Sequence, residues 1–201
     1  MTVHLVRHGN VENPKGVIYG RLPGYHLSEK GKEQAAAAAD RLGAADIGAV
    51  WASPLERAQE TAQAIADPHG LDIVTDDRLI ESHTTLEGVT RSVVGVFRNP
   101  SRWWHFRNPM RPSWGESFTE IKDRMMSAIQ DAVREAGGKE IVVVSHQTPV
   151  LVARYGLGRR RMPPWLGLVP CETGSVTTMV LDGDKVVSAA YFKPPVRVPE
   201  G

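Results

Sequence analysis

The sequence predicts an α/β domain: a three-layer sandwich with a mostly parallel central sheet covered by helices on both faces. Three observations carry this reading. Short β-rich runs alternate with stretches of helical periodicity along most of the chain, the pattern of strand-helix units around a parallel sheet. Ile141 to Val144 is a continuous β-branched run, which fits a strand buried on both faces rather than one with a wet side. Hydrophobic residues make up 41% and charged residues 23% of 201, enough apolar surface for one sizeable core and about the length of one domain.

Val3 to Val6 is the first β-rich run, and Ser28 to Leu42 follows as an alanine-rich helix closed by Gly43. Ala49 to Ala52 reads as the second strand. Ser53-Pro54-Leu55-Glu56 then supplies an N-cap, a proline at the first helical position and a capping-box glutamate, so a second helix is expected to start at Ser53. On that helix Leu55, Ala58, Ala62 and Ile65 share one face, and Arg57 lies off the stripe. From Phe118 the positions Ile121, Met125, Ile129 and Val133 recur at helical spacing up to Gly137-Gly138, where the chain enters the 141–144 strand. Ser175 to Leu181 and Lys185 to Tyr191, around Asp182-Gly183-Asp184, form a closing hairpin. Residues 82–116 break the alternation: Trp103, Trp104, Phe106 and Trp114 stand among prolines and arginines with no lasting period. This stretch is expected to be an insertion over the site, a lid that selects the substrate. Residues 193–201 are expected to be a loose tail.

Charge and cysteine content narrow the function classes. Lys plus Arg number 24 against 23 Asp plus Glu, a net charge of +1, so no global field recruits nucleic acid or an anionic membrane. The basic run Arg159-Arg160-Arg161 reads as a solvated loop. A lone cysteine, Cys171, leaves no internal disulfide framework and no cysteine-built zinc site. With no apolar run near the roughly 20 residues of a membrane span, a cytoplasmic location is expected. Motifs for a serine-hydrolase elbow, a nucleotide-binding loop or a paired-histidine metal site do not occur.

The chemistry gathers at three strand ends. Arg7-His8 closes the first strand, Ser53 to Arg57 follows the second, and Ser145-His146 closes the 141–144 strand. In sheets of this kind, sites form beyond the carboxyl ends of the strands. A neutral imidazole is a nucleophile, and guanidinium forks bind phosphoryl oxygens in pairs, so two histidines and two arginines suit attack on a phosphomonoester. His4 and His69 read as packed or surface histidines.

RHG at 7–9, YGRLPGYHLSEKGKEQA at 19–35, SPLERAQETA at 53–62, RLIESHTTLEG at 78–88, GES at 115–117 and VVVSHQTPV at 142–150 resemble, in order and spacing, the histidine phosphatase superfamily, which includes the cofactor-dependent phosphoglycerate mutases. The resemblance covers nearly the whole chain and implies one phosphoglycerate mutase-like domain over 1–201. It implies that His8 takes up phosphate, with Arg7, Arg57 and His146 around the phosphoryl oxygens and Glu81 as the acid. Asn13 and Gln147 are implied as further phosphate contacts, and Gly20 and Arg21 as substrate contacts. It implies no metal and no cofactor, since phosphoryl transfer asks chiefly for positioning and charge stabilisation. Glu87 or His83 stand as alternatives to Glu81.

Departures from the family pattern sit beside the nucleophile. Val11 replaces a threonine, Pro14 stands where the family has asparagine although Asn13 keeps the seven-residue spacing to Gly20, and Gln147 replaces a glycine. The expected activity is metal-independent hydrolysis of a small phosphate ester by a monomer or homodimer. A phosphoglycerate-type mutase and an inactive phospho-ligand binder are the rivals.

Overall fold

The computed structural model describes residues 1–90, 115–163, 166–183 and 185–195. Most of the expected insertion, 91–114 with its three tryptophans, lies outside the described residues.

Six strands form one sheet: β1 (Thr2–Arg7), β2 (Ile47–Ala52), β3 (Ile73–Thr75), β4 (Glu140–Ser145), β5 (Val176–Asp182) and β6 (Lys185–Phe192). Their order is β3-β2-β4-β1-β5-β6. Pairings β3-β2, β2-β4 and β4-β1 are parallel, and β5 and β6 close one edge as an antiparallel hairpin against β1. Helices α1 (Glu29–Leu42) and α2 (Glu56–Ala66) cover one face; α3 (Phe118–Glu135) and α4 (Gln147–Leu157) cover the other. The expected α/β sandwich is therefore the fold.

β4 shows why its sequence has no alternation. Ile141 and Val143 pack towards α3 and α4, Val142 and Val144 towards α1 and α2, and all four are fully buried. Each such side chain contributes about 1.5–3 kcal/mol by leaving water, a large share of the roughly 5–15 kcal/mol that separates folded from unfolded domains. A polar residue at any of the four is not affordable.

One local expectation is corrected, the start of α2. Helix α2 begins at Glu56 with Leu55 as its N-cap residue, not at Ser53. Ser53 is fully buried; its hydroxyl meets His146 at 2.8 Å and accepts from Leu55 N at 3.4 Å, but Ser53 N donates to Val144 O and the Glu56 carboxylate accepts from Gly24 N at 2.9 Å, so the reciprocal half of the capping box does not form. The chain after β4 continues through Gln147-Thr148-Pro149 into α4, because a proline in the first helical turn gives up an N–H that has no intrahelical partner anyway. The tail is anchored at its start: Pro194 is buried beside Gly174, and Lys193 pairs with Glu172 at 3.2 Å. Residues 196–201 lie outside the described residues. Among those described, no helix is long and apolar enough to cross a membrane.

One close approach fixes the loop after β1. A Cβ at Gly9 would stand 2.4 Å from Gly31 O, and a Cβ at Gly31 would stand 2.0 Å from Asn10 O. Gly31 lies inside α1, where glycine to alanine ordinarily stabilises by about 0.5–1 kcal/mol. Here the backbone contact wins. Gly31→Ala is expected to lower stability by roughly 1–3 kcal/mol through forced overpacking, read as a fall in thermal midpoint; an equal or higher midpoint would contradict the contact.

Candidate active site

The ends of β1, β2 and β4 are stitched into one floor by backbone bonds that run past the strands. His8 N donates to Ser145 O at 3.0 Å, Ser53 N to Val144 O at 3.0 Å and Arg7 N to Ser175 O at 3.1 Å. His8, Ser53 and His146 thereby sit side by side, and the two imidazole centroids are 5.0 Å apart.

His8 is held from both neighbouring helices. Gly9 N donates to Thr61 Oγ1 of α2 at 3.1 Å, and Asn10 N donates to Gln34 Oε1 of α1 at 2.8 Å. Within this fixed loop His8 Nδ1 donates to Gly9 O at 2.7 Å, which sets the tautomer and leaves the lone pair on Nε2. His8 is 1% exposed. Burial first, then the charges of Arg57 and Arg7, hold its pKa well below the ordinary 6.5, so the ring is neutral at physiological pH. A neutral, oriented imidazole is the form that attacks phosphorus.

Around it, buried donors converge without partners. Arg57 is completely buried; its Nη2 donates to Gly20 O at 2.7 Å and its guanidinium lies 4.8 Å from the Tyr19 ring centroid. Its Nε and Nη1, with Arg7 Nε and His146 Nδ1, have no hydrogen-bond partner among the described residues. Arg7 Nη1 donates to Cys171 O at 2.5 Å, which aims the guanidinium. His146 Nε2 meets Ser53 Oγ at 2.8 Å. Burial, then His8 and Arg57, keeps His146 well below 6.5 as well. Buried unpartnered donors cost free energy unless a ligand satisfies them, and several converging on one point match an anion with several oxygens.

Glu81 faces this cluster. Its Oε1 accepts from Ser82 N at 2.8 Å and Ser82 Oγ at 3.1 Å. Withdrawal from solvent raises its pKa above the usual 4.5 although those bonds and the charges of Arg7 and Arg57 pull the other way. A carboxyl that retains its proton to higher pH is suited to protonate a leaving group. Glu87, the alternative acid, is engaged elsewhere: its Oε1 accepts from Arg21 N at 2.7 Å.

The remaining expected site residues hold protein groups. Both ends of the Asn13 amide are used by Val17, donating to its O at 2.9 Å and accepting from its N at 3.2 Å. Asn13 thereby closes the loop from 13 to 17. Gly20, at φ 43°, presents its carbonyl to Arg57 and has no room for a side chain, since a Cβ would stand 2.3 Å from Glu87 Oε1. Arg21 donates from Nε to Glu81 O at 2.7 Å and from Nη2 to Glu116 Oε2 at 3.1 Å. Gln147 is the first residue of α4, at the positive end of its dipole. His4 is a packed histidine, between Thr178 Oγ1 at 2.9 Å and Glu140 Oε2 at 2.6 Å. Ser53, Thr61 and Ser82 went unread as site residues, because hydroxyls that orient a neighbour carry no spacing of their own. Among the described residues no group of three or more His, Cys, Asp or Glu is arranged to hold a metal ion.

Six strands in this order carry a neutral histidine between two arginines at the strand ends, with buried donors gathered around it. Residues 3–193 match the histidine phosphatase superfamily (branch 1), and the chain belongs to that family. It is 49% identical over 195 residues to an uncharacterized protein of Mycobacterium tuberculosis, covering 96% of each chain. It is 32% identical to phosphoserine phosphatase 1 of Hydrogenobacter thermophilus, over 73% of this chain and 71% of that one. It is 35% identical to the 2,3-bisphosphoglycerate-dependent phosphoglycerate mutase of Thermoplasma acidophilum, over 74% and 72%. Among solved structures, Bacillus stearothermophilus YhfR superposes with a TM-score of 0.78 at 28% identity, over 92% of this chain and 93% of that one.

The buried histidines make stability depend on pH in a stated direction. His4, His8 and His146 all have folded pKa values below the unfolded 6.5, so below about pH 6.5 the unfolded chain binds protons that the folded chain refuses. Glu81, with its raised folded pKa, acts oppositely and at a single site. The thermal midpoint in anion-free buffer is therefore expected to fall from pH 7 to pH 5, and inorganic phosphate is expected to blunt the fall. A midpoint level across that range would contradict the buried neutral state.

Proposed function

We propose that the protein is a phosphatase that hydrolyses a small phosphate monoester through a phosphohistidine on His8. The observation that carries the reading is the neutral His8, its Nδ1 committed to Gly9 O, set among the unpartnered donors of Arg7, Arg57 and His146. Bound in that cluster, the phosphoryl oxygens take bonds from Arg7, Arg57 and His146. His8 Nε2 attacks phosphorus in line, the P–O bond to the leaving group breaks, and the Glu81 carboxyl passes its proton to the departing alkoxide. In the second step the Glu81 carboxylate accepts a proton from water, whose oxygen attacks phosphorus and breaks the P–N bond. Inorganic phosphate leaves and neutral His8 is restored. The arginines stabilise charge on the equatorial oxygens in both steps. The phosphoserine phosphatase among the relatives supports hydrolysis, and the phosphoglycerate mutase among them makes transfer to a second hydroxyl the rival to be tested.

The test is release of inorganic phosphate from a panel of sugar, glycerate, amino-acid and aryl phosphates, with chelator present. Net release supports hydrolysis. Exchange of phosphate between glycerate hydroxyls without net release would assign the mutase activity instead.

A further inference from the structure

The segment that carries Glu81 has almost no regular structure to hold it. After a single 3₁₀ turn at Asp77–Leu79, Ile80 is extended, and no strand or helix is described from 81 to 90. Side chains do the holding instead. Arg124 Nη1 donates to Arg78 O at 2.5 Å, Ser145 Oγ to Leu79 O at 2.6 Å and Arg21 Nε to Glu81 O at 2.7 Å. Two of these three donors belong to guanidinium groups gripped by one carboxylate. Glu116 takes Arg124 Nε on Oε1 at 2.6 Å and Arg124 Nη2 on Oε2 at 3.0 Å, and Oε2 also takes Arg21 Nη2 at 3.1 Å. Glu116 is therefore the hub of a bridge from α3 to the loop at Arg21, with the Glu81 segment clamped between.

We infer that Glu116 is a positioning residue for the acid: through Arg21 and Arg124 it fixes the carbonyls of residues 78 and 81, and so the reach of the Glu81 carboxyl. This rests on the reading of Glu81 as the acid. An exposed ion pair contributes little to stability, which would make Glu116 dispensable. Its side chain is 16% exposed and that of Arg124 15%, however, and their contact is two-pronged. Each guanidinium also spends a remaining N–H on the backbone of the acid's segment. That geometry serves placement more than stability, and misplacing a reacting group by about 1 Å costs up to roughly 10²-fold in rate.

The experiment compares wild type, Glu81→Gln, Glu116→Gln and Arg21→Lys on aryl phosphates graded from 4-nitrophenyl to phenyl phosphate, with inorganic phosphate inhibition and thermal midpoint measured on each. A departing nitrophenolate needs little protonation, while phenolate, with a pKa near 10 like tyrosine, needs it. Glu116→Gln is expected to lose about tenfold more kcat on phenyl than on 4-nitrophenyl phosphate, a smaller copy of the Glu81→Gln gradient. Its inhibition by phosphate should be unchanged, because Glu116 does not touch the anion cluster. Arg21→Lys, which keeps the charge but lacks the Nε–H, should show the same gradient and stands in if Glu116→Gln fails to fold. A steep Glu81→Gln gradient with a flat one in Glu116→Gln, or in Arg21→Lys where it stands in, overturns the inference and leaves the acid in place. A flat gradient in Glu81→Gln itself overturns both.

Discussion

His8→Ala is expected to lose at least about 10³-fold in kcat/KM, since removing the nucleophile of a covalent mechanism ordinarily costs 10³-fold or far more. The argument is geometric before it is electrostatic. The two helices hold Gly9 and Asn10 by hydrogen bonds, and Gly9 O takes the Nδ1 proton, so the nucleophilic nitrogen is decided before substrate arrives. The alternative nucleophile in the cluster is His146, 5.0 Å away between centroids, but its Nε2 is engaged by Ser53. Quenching wild type in alkali during turnover should retain acid-labile phosphate on His8, and none on His8→Ala. His8→Asn, whose amide can still donate to Gly9 O, controls for loss of the loop contact. Undiminished turnover by both variants would refute the mechanism; a phosphoenzyme labelled on His146 would move the nucleophile.

The fold was legible where burial on both faces or a clean helical period leaves few choices. The β-branched run in β4 and the Ile121 to Ile129 stripe of α3 have one packing solution each. β3, only Ile73–Thr75 and partly buried, gives too few residues to declare a period. The start of α2 differs from the expectation because only the assembled sheet shows that Ser53 N bonds Val144 O and that the Glu56 carboxylate bonds Gly24 N, which leaves the capping box half made. Within the site, Arg7, His8, Arg57 and His146 were legible because chemistry-bearing residues recur at strand ends, where the topology brings them together. The turn-closing bonds of Asn13 to Val17 were not legible, because an amide serves an anion or a turn equally well until its distances are known. The clamp on Glu81 was not legible at all: Arg21, Glu116 and Arg124 are far apart in sequence, and no local pattern couples them.

Arg57→Met is expected to separate stability from function, with opposite signs. Arg57 is a cation at 0% exposure whose side chain, among the described residues, makes a single hydrogen bond, to Gly20 O, and has two unpartnered nitrogens. Desolvation lowers its pKa below the ordinary arginine value, the mark of an environment that disfavours its charge. The Tyr19 face returns up to about 2 kcal/mol, less than the several kcal/mol that an unpaired buried ion costs. Methionine fills similar volume without the charge, so the anion-free thermal midpoint should stay level or rise. Function should move the other way. A guanidinium fork on the transferring phosphoryl group contributes about 10²–10³-fold, so kcat/KM is expected to fall by that amount. Linkage gives the sharper measurement, because phosphate at 100 times its Kd stabilises wild type by roughly 2.7 kcal/mol and should stabilise Arg57→Met far less at the same concentration. Arg57→Lys should keep part of that stabilisation, as a point charge, while losing most of the rate, as it lacks the fork. A lowered midpoint with phosphate affinity intact would make Arg57 a structural cation.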